Sequence, residues 1–252
     1  MIFYFSATGN SRHVAQRLAT ALGDETADIA QRVRGGDFSL SLGPGEAVGI
    51  VCPTYFWGVP AMVADFLQQL DLPETPYLYF VTTYGAVTGA ASMAERLLRQ
   101  RGHSLTARFG VKMPDNWTPM FDLSDKAAVA HTNALAEPQI DAIIEKIKAA
   151  QAGDFTANKV PGFVARVAHL FYDRQRGTGK FTVEPSCVGC GLCAKHCPDG
   201  AITIQDGKPV WIKDRCQLCL GCLHRCPQFS IQYGPKTKQH GQYLHPGETA
   251  AE

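Results

Sequence analysis

The sequence predicts an α/β protein, a doubly wound parallel sheet followed by a small α+β module. Three observations predict it. Short apolar runs at residues 2–5 (I-F-Y-F), 48–52 (V-G-I-V-C), 77–83 (Y-L-Y-F-V-T-T) and 109–113 (F-G-V-K-M) alternate with helix-patterned stretches, as buried parallel strands and their crossovers do. Each run ends in a loop of glycine, proline, hydroxyl or aromatic residues. Finally, a twelve-residue cysteine pattern occurs twice near the C-terminus.

Composition sets the outer bounds. The 252 residues, 45% of them hydrophobic, suffice for one large or two modest domains. Met1 runs straight into I-F-Y-F with neither a charged leader nor an apolar core of signal-peptide length, and no apolar stretch has the length of a bilayer span. With nine cysteines, this places the expected chain in the reducing cytoplasm. The net charge of +1 hides an asymmetry: residues 1–154 carry 12 basic and 16 acidic side chains, residues 155–252 carry 12 and 7. The basic half shows no stripe of cations interleaved with aromatics, so no nucleic-acid partner is expected.

After the first strand, Ser6, Thr8, Gly9, Asn10 and Ser11 stand immediately before a helical pattern with Val14, Leu18 and Leu22 on one face and Gly23 as its stop. Backbone N–H groups at a helix start, aided by the helix dipole, hold a phosphate without a cation. The loop has neither the nucleotide P-loop pattern nor that of a dinucleotide fold. The second run delivers Pro53, Thr54, Tyr55, Phe56, Trp57 and Gly58, three aromatics on one loop where open α/β sheets bind ligands; stacking on a flat ring is worth about 0.5–1.5 kcal/mol per pair. Pro60 suits the start of the next helix. The third run ends in Thr83, Tyr84, Gly85 and Ala86, and a helix over about 90–101 follows. The fourth leads to Asp115, Asn116 and Trp117, where the two polar side chains serve either the edge of such a ring or their own turn. Residues 125–150 read as helical, with a break or kink at Pro138 and a buried stripe of Ile140, Ile143, Ile144 and Ile147.

The reading divides the chain into residues 1–153, a linker 154–179, a cysteine module 180–235 and a tail 236–252. In the linker, Phe163, Val164, Val167, Leu170 and Phe171 form one side of a short helix expected to pack between the two halves, with docking of a partner or membrane as the alternative. The module reads C-V-G-C-G-L-C-A-K-H-C-P and then C-Q-L-C-L-G-C-L-H-R-C-P. Three cysteines at C-x2-C-x2-C reach three corners of one iron–sulfur cubane, and in this spacing the last cysteine of each run serves the other cluster. One [4Fe-4S] site is therefore Cys187, Cys190, Cys193 and Cys226, the other Cys216, Cys219, Cys222 and Cys197. Zinc leaves the third cysteine and the Cys-Pro endings unexplained. Apolar segments on either side of each run predict a pseudo-twofold module, and the polar tail after Gly234 is expected to be poorly ordered or to lie on the surface.

The first 150 residues resemble flavodoxins. Ser6-x-Thr8-Gly9-Asn10-Ser11 matches that family's FMN-phosphate loop, Pro53 to Gly58 its first loop for the flavin ring, and Thr83 to Ala86 its second. With the cysteine module, nearly the whole chain is similar to flavodoxin-fused bacterial-type 2[4Fe-4S] ferredoxins, opening on the signature F-Y-F-S-A-T-G-N-S. The resemblance implies a flavodoxin-like five-stranded sheet of order 2-1-3-4-5, FMN, two [4Fe-4S] clusters, and transfer of single electrons among them for redox partner proteins. A terminal FMN-dependent reductase fed by the clusters is the second reading. Unlike small flavodoxins, the stretch from Pro53 to Pro60 carries no charge. Cys52 is expected to be a buried inert thiol, and His196 and His224 to be solvated loop side chains rather than cluster-tuning groups.

Overall fold

The computed structural model describes residues 1–43, 45–73 and 77–248. Six parallel strands, β1 (Ile2–Tyr4), β2 (Thr26–Asp28), β3 (Val48–Pro53), β4 (Leu78–Tyr84), β5 (Ala107–Lys112) and β6 (Gly153–Asp154), form a sheet of order β2-β1-β3-β4-β5-β6. The first five stand in the expected order. β6 extends the edge through Ala107↔Gly153 and Arg108↔Asp154, and two residues, one of them glycine, carry no apolar alternation to announce a strand.

Alternation along the strands sorts side chains into two cores. Phe3, Ile50, Leu78 and Phe80 pack with α3 (Ala61–Gln69), α4 (Ala90–Arg99) and the start of α2 (Ile29–Gly35). Ile2, Val51, Tyr79, Val81 and Phe109 face α1 (Asn10–Leu22) and α5 (Lys126–Lys148). Helix α5 runs through Pro138 instead of ending there. A proline inside a helix costs about 3 kcal/mol, whereas each of the buried Ile140, Ile143, Ile144 and Ile147 contributes about 1.5–3 kcal/mol. Burial prevails.

Helix α6 (Gly162–Gln175) bridges the two halves, but not by the face the sequence nominates. Ala165 and Tyr172 are buried, while Phe163, Val167, Leu170 and Phe171 stay 71%, 56%, 67% and 53% exposed. The expected packing of that stripe between the halves is thus not found for Phe163, Val167 and Leu170, and Phe171 reaches the seam only as a wall of its cavity. The inward ridge is instead Ala165, Ala168 and Tyr172.

A turn of 3-10 helix at Thr178–Lys180 leads into the cysteine module. It consists of β7 (Phe181–Val183), α7 (Leu192–Lys195), β8 (Ile202–Gln205), β9 (Lys208–Trp211), α8 (Gly221–His224) and β10 (Ile231–Tyr233). The strand before the first cysteine run pairs antiparallel with the strand after the second, while β8 and β9 form a hairpin between them. Its turn is Asp206-Gly207, with φ of 48° and 72°, the pair that suits a two-residue hairpin. The two repeats therefore interlock. Among the described residues no helix is long and apolar enough to cross a membrane.

The described part of the tail, residues 236–248, does not hang free, and residues 249–252 lie outside the described residues. After α9 (Thr237–His240) it returns along the first half, where the Tyr243 hydroxyl meets Asn10 Oδ1 at 2.6 Å and Asn133 Oδ1 at 2.9 Å. The His245 N–H donates to Thr8 O at 2.8 Å, and its ring stacks on His13 with centroids 4.1 Å apart. Glu248 pairs across the two halves with Arg12 at 3.3 Å and within its own half with Arg225 at 2.8 Å. Burial, then the neighbouring His13, push the His245 imidazole from 6.5 down to about 4. The unfolded ring thus takes up its proton first, so the anchoring is complete above pH 6.5 and is lost as pH falls toward 4. Amide exchange over residues 236–248 is expected to be faster at pH 5 than intrinsic chemistry predicts from the pH 7 protection. His245→Gln should flatten that difference, and equal protection at both pH values would contradict the assignment.

Candidate functional site

Four strand ends converge on one rim, as they must in an open parallel sheet. There a cavity of about 360 Å³ opens between the two halves. Ser6, Thr8, Asn10 and Ser11 line one end of it. Helix α1 starts beside them at Gly9, whose φ of 101° favours glycine, and no side chain caps its first turn. Gly9 itself does not line the cavity; a side chain there would strike Glu248 and His245 of the tail. Hydrogen bonds tie this loop to its neighbours. Ser11 Oγ and Thr83 Oγ1 lie 2.8 Å apart, Asn116 Nδ2 donates to Thr8 Oγ1 at 2.5 Å, and Asn10 Nδ2 donates to Pro114 O at 3.3 Å.

The loop after β3 contributes Pro53, Thr54, Tyr55, Phe56 and Trp57. Tyr55 and Gly58 exchange both backbone hydrogen bonds, at 2.8 and 2.9 Å, which makes Phe56 (φ 46°) and Trp57 (φ 64°) the centre of a two-residue turn. Asn-Gly normally fills such a turn. Two aromatic residues in left-handed backbone cost about 1–3 kcal/mol each, a strain characteristic of binding sites. Gly58 lies outside the cavity, against His169 and Met93. From the next two loops come Thr83, Tyr84, Gly85 and Ala86, and Asp115, Asn116 and Trp117. Any Cβ on Gly85 would meet the Asp115 side chain at 2.4 Å. Burial holds the Asp115 carboxyl above the usual range despite the Trp117 N–H donated to it at 3.2 Å.

The opposite wall comes from residues that the sequence reading did not assign to this site. Met120 and Phe121 follow the last loop, Ala168, Phe171 and Tyr172 come from α6, and Leu218 and Cys219 come from the second cysteine run. The signal for α6 was its spacing of apolar residues, which fixes a face but not a neighbour. Cys219 was legible as a ligand and not as a wall. None of the lining residues is Lys, Arg or His. The chemistry is therefore an uncapped helix start with hydroxyls at one end and aromatic rings at the other, which fits a phosphate joined to a flat ring.

Two smaller cavities lie inside the module. One is lined by Cys187, Cys190, Cys193 and Cys226, the other by Cys197, Cys216, Cys219 and Cys222. Each takes three cysteines from one run and the last from the other. Backbone N–H groups point at the sulfurs: Ser230 to Cys226 at 3.2 Å, Ala201 to Cys197 at 3.2 Å and Leu218 to Cys216 at 3.3 Å. Burial pushes the Cys193 and Cys216 thiols up to about 11, so any metal bound there would have to displace their protons. Among the described residues no three His, Cys, Asp or Glu side chains gather as they would around a single metal ion. His224, expected in solvent, is buried. Its Nδ1 accepts from the Tyr243 N–H at 3.2 Å, which leaves Nε2 to donate to Asn116 O at 2.9 Å, and burial pushes the ring down to about 4. His196 is half-buried, and its Nε2 has no hydrogen-bond partner. Cys52 sits in the first core, its thiol pushed up by burial.

Fold and cavities together define a parallel-sheet domain with a rim cavity suited to a flavin, joined to a module with two four-cysteine cavities. Residues 1–142 match the flavodoxin domain model and residues 186–231 the 4Fe-4S dicluster domain model, so the chain belongs to the flavodoxin domain family, with a dicluster ferredoxin domain behind it. Its cofactors are FMN and two [4Fe-4S] clusters. Curated relatives match the module. Over 53 residues it is 36% identical to a component of the ion-translocating oxidoreductase complex of Methanosarcina acetivorans, covering 21% of this chain and 20% of that one. Over 49 residues it is 35% identical to a ferredoxin-like protein in the nif region of Trichormus variabilis, covering 19% and 42%. The match thus spans less than half the length of either relative. Among solved structures, a Streptococcus pneumoniae flavodoxin covers 56% of this chain and 97% of its own at 16% identity and a TM-score of 0.33. A rubredoxin oxygen:oxidoreductase from Desulfovibrio gigas covers 59% and 36% at 17% identity and a TM-score of 0.36.

Trp57→Gly is expected to weaken FMN binding about 2- to 13-fold, as loss of one stacked ring worth about 0.5–1.5 kcal/mol requires. The apo-protein should melt no lower, because glycine adopts this backbone without strain. Titration of FMN fluorescence and a thermal scan check both, and unchanged affinity would remove Trp57 from the site.

Proposed function

We propose that this chain is a redox relay that passes single electrons between two [4Fe-4S] clusters and FMN, serving redox partner proteins in anaerobic metabolism. One observation carries the reading: Cys219 lines both the large rim cavity and the second cysteine cavity. In this reading no layer of protein separates flavin from iron. FMN takes one or two electrons and each cluster one, so the pair converts between the two kinds of transfer.

The residues divide the work. Ser6, Thr8, Asn10 and Ser11, with the free N–H groups of α1, hold the phosphate, while Tyr55, Phe56, Trp57 and Trp117 clasp the ring and keep water from it. Gly85 makes room for Asp115 at its edge. Cys187, Cys190, Cys193 and Cys226 hold the outer cluster, and Cys197, Cys216, Cys219 and Cys222 the inner one. The outer site is the port for partners, supported by an exposed Cys190, a Val188 that is 65% exposed, and Lys208, whose Nζ donates to Cys187 O at 2.8 Å. A basic port steers acidic carriers. The cysteine usage of the sequence supports a reducing compartment, the cytoplasm. Terminal reduction of a small molecule, the second reading, is not favoured by the two family matches.

Anaerobic reduction of the holo-protein, followed by optical and EPR spectra, tests the relay. Electrons added to the clusters should equilibrate with the flavin, and a flavin indifferent to cluster oxidation state would overturn the proposal. Cys219→Ser is expected to lower iron content by up to half while retaining FMN and the outer cluster's signal. Retention of both clusters with unchanged spectra would remove Cys219 from the ligand set.

A further inference from the structure

The two cysteine runs are not equivalent at their centres. In the first, Gly189 (φ 69°) and Gly191 (φ 79°) flank Cys190. The corresponding positions of the second, beside Cys219, are Leu218 (φ 53°) and Leu220 (φ 54°). The loop thus takes the same left-handed conformation in both runs, but in the second it is imposed on leucine, which reaches it only at a cost. Something offsets that cost. Leu218 and Leu220 are 3% and 1% exposed, the first lining the rim cavity and the second the inner cluster cavity, on either side of the residue common to both. The loop is also fixed from outside. Tyr172 Oη donates to Gln217 O at 2.7 Å, and Gln217 Oε1 accepts the Met62 N–H of α3 at 3.0 Å. At the first run the same positions carry no side chain, and Cys190 is exposed.

We propose that Leu218 and Leu220 are positioning residues that keep water out of the junction between flavin and inner cluster, and so hold that cluster at a lower reduction potential than a glycine loop allows. The inference rests on the relay reading. Reduction adds one negative charge to a cluster, and a site without water stabilises that charge less, which lowers the potential. The Leu218 N–H also reaches Cys216 Sγ, but this backbone contact survives any substitution of the side chain, so variants isolate the effect of water.

The experiment compares holo-protein with Leu218→Gly and Leu220→Asn, both able to adopt left-handed backbone, by EPR-monitored potentiometric titration and by deuterium coupling to the reduced clusters in heavy water. Asn keeps the bulk of the side chain, so it reports polarity where the glycine variant also leaves a void. The expected result is an upward shift of one cluster midpoint with the other unchanged, accompanied by new deuterium coupling at the shifted cluster. Unchanged or lowered midpoints in fully loaded variants would overturn the proposal while leaving the relay intact. Wild-type protein lacking FMN or the inner cluster would instead overturn the relay.

Discussion

The packing of one loop, Gln217 to Leu220, against the rim of the parallel sheet is the contact on which the rest of the molecule depends. A parallel sheet gathers its strand ends at one edge and leaves a crevice there, and ordinarily that crevice opens to water. Here Gln217 enters the seam, accepting the Met62 N–H of α3 at 3.0 Å and donating to Asp199 Oδ1 at 2.8 Å. The start of α3, which Pro60 leaves without a side-chain cap, is thus capped by the other half of the protein. The same residue therefore closes the helix, seats the cysteine loop and brings Cys219 to the cavity wall. The tail reinforces the arrangement from the far side, with Glu248 paired to both Arg12 and Arg225 and only 4% of its side chain exposed. A buried carboxylate flanked by two guanidiniums is costly to break by removal of one partner.

Much of this was legible in the sequence because the signals are local. Short apolar strand runs, Gly9 and Gly23 at the ends of α1, and C-x2-C-x2-C spacing each follow from chemistry within a dozen residues. The same holds for the rim: each of four loops announces itself by its own composition, and the topology alone brings them together. Resemblance to flavodoxin-fused ferredoxins supplied the strand order and FMN. What the sequence did not carry was contact between distant segments. The apolar residues of α6 mark a helix, yet nothing local says that Tyr172 and Ala165 turn inward while Phe163 and Leu170 face solvent. The tail reads as polar, and its burial depends on Asn10 and Asn133 receiving Tyr243 from more than a hundred residues away. His224 reads as a loop histidine, and only the packing of Asn116 and Tyr243 around it makes it a core group.

Strain marks two places beside the cavities where the local rules are broken. Phe56 and Trp57 occupy turn positions suited to Asn-Gly, and Leu218 and Leu220 occupy positions filled by glycine in the sister repeat. All four line either the rim cavity or the cavity beside it. Large apolar groups in left-handed backbone destabilise the apo-protein, and they wall the space where the rim cavity meets the inner cysteine cavity. Binding of FMN and iron can offset that cost, since both favour the folded state by mass action.

In the proposed relay, electrons move between flavin and iron inside one molecule, across the seam at Cys219. Photoreduction of the bound flavin in anaerobic holo-protein, with cluster absorbance and EPR followed over a wide range of protein concentration, tests it most directly. A rate of cluster reduction independent of concentration is the predicted result. A rate that rises in proportion to concentration, or clusters that stay oxidised, would contradict it.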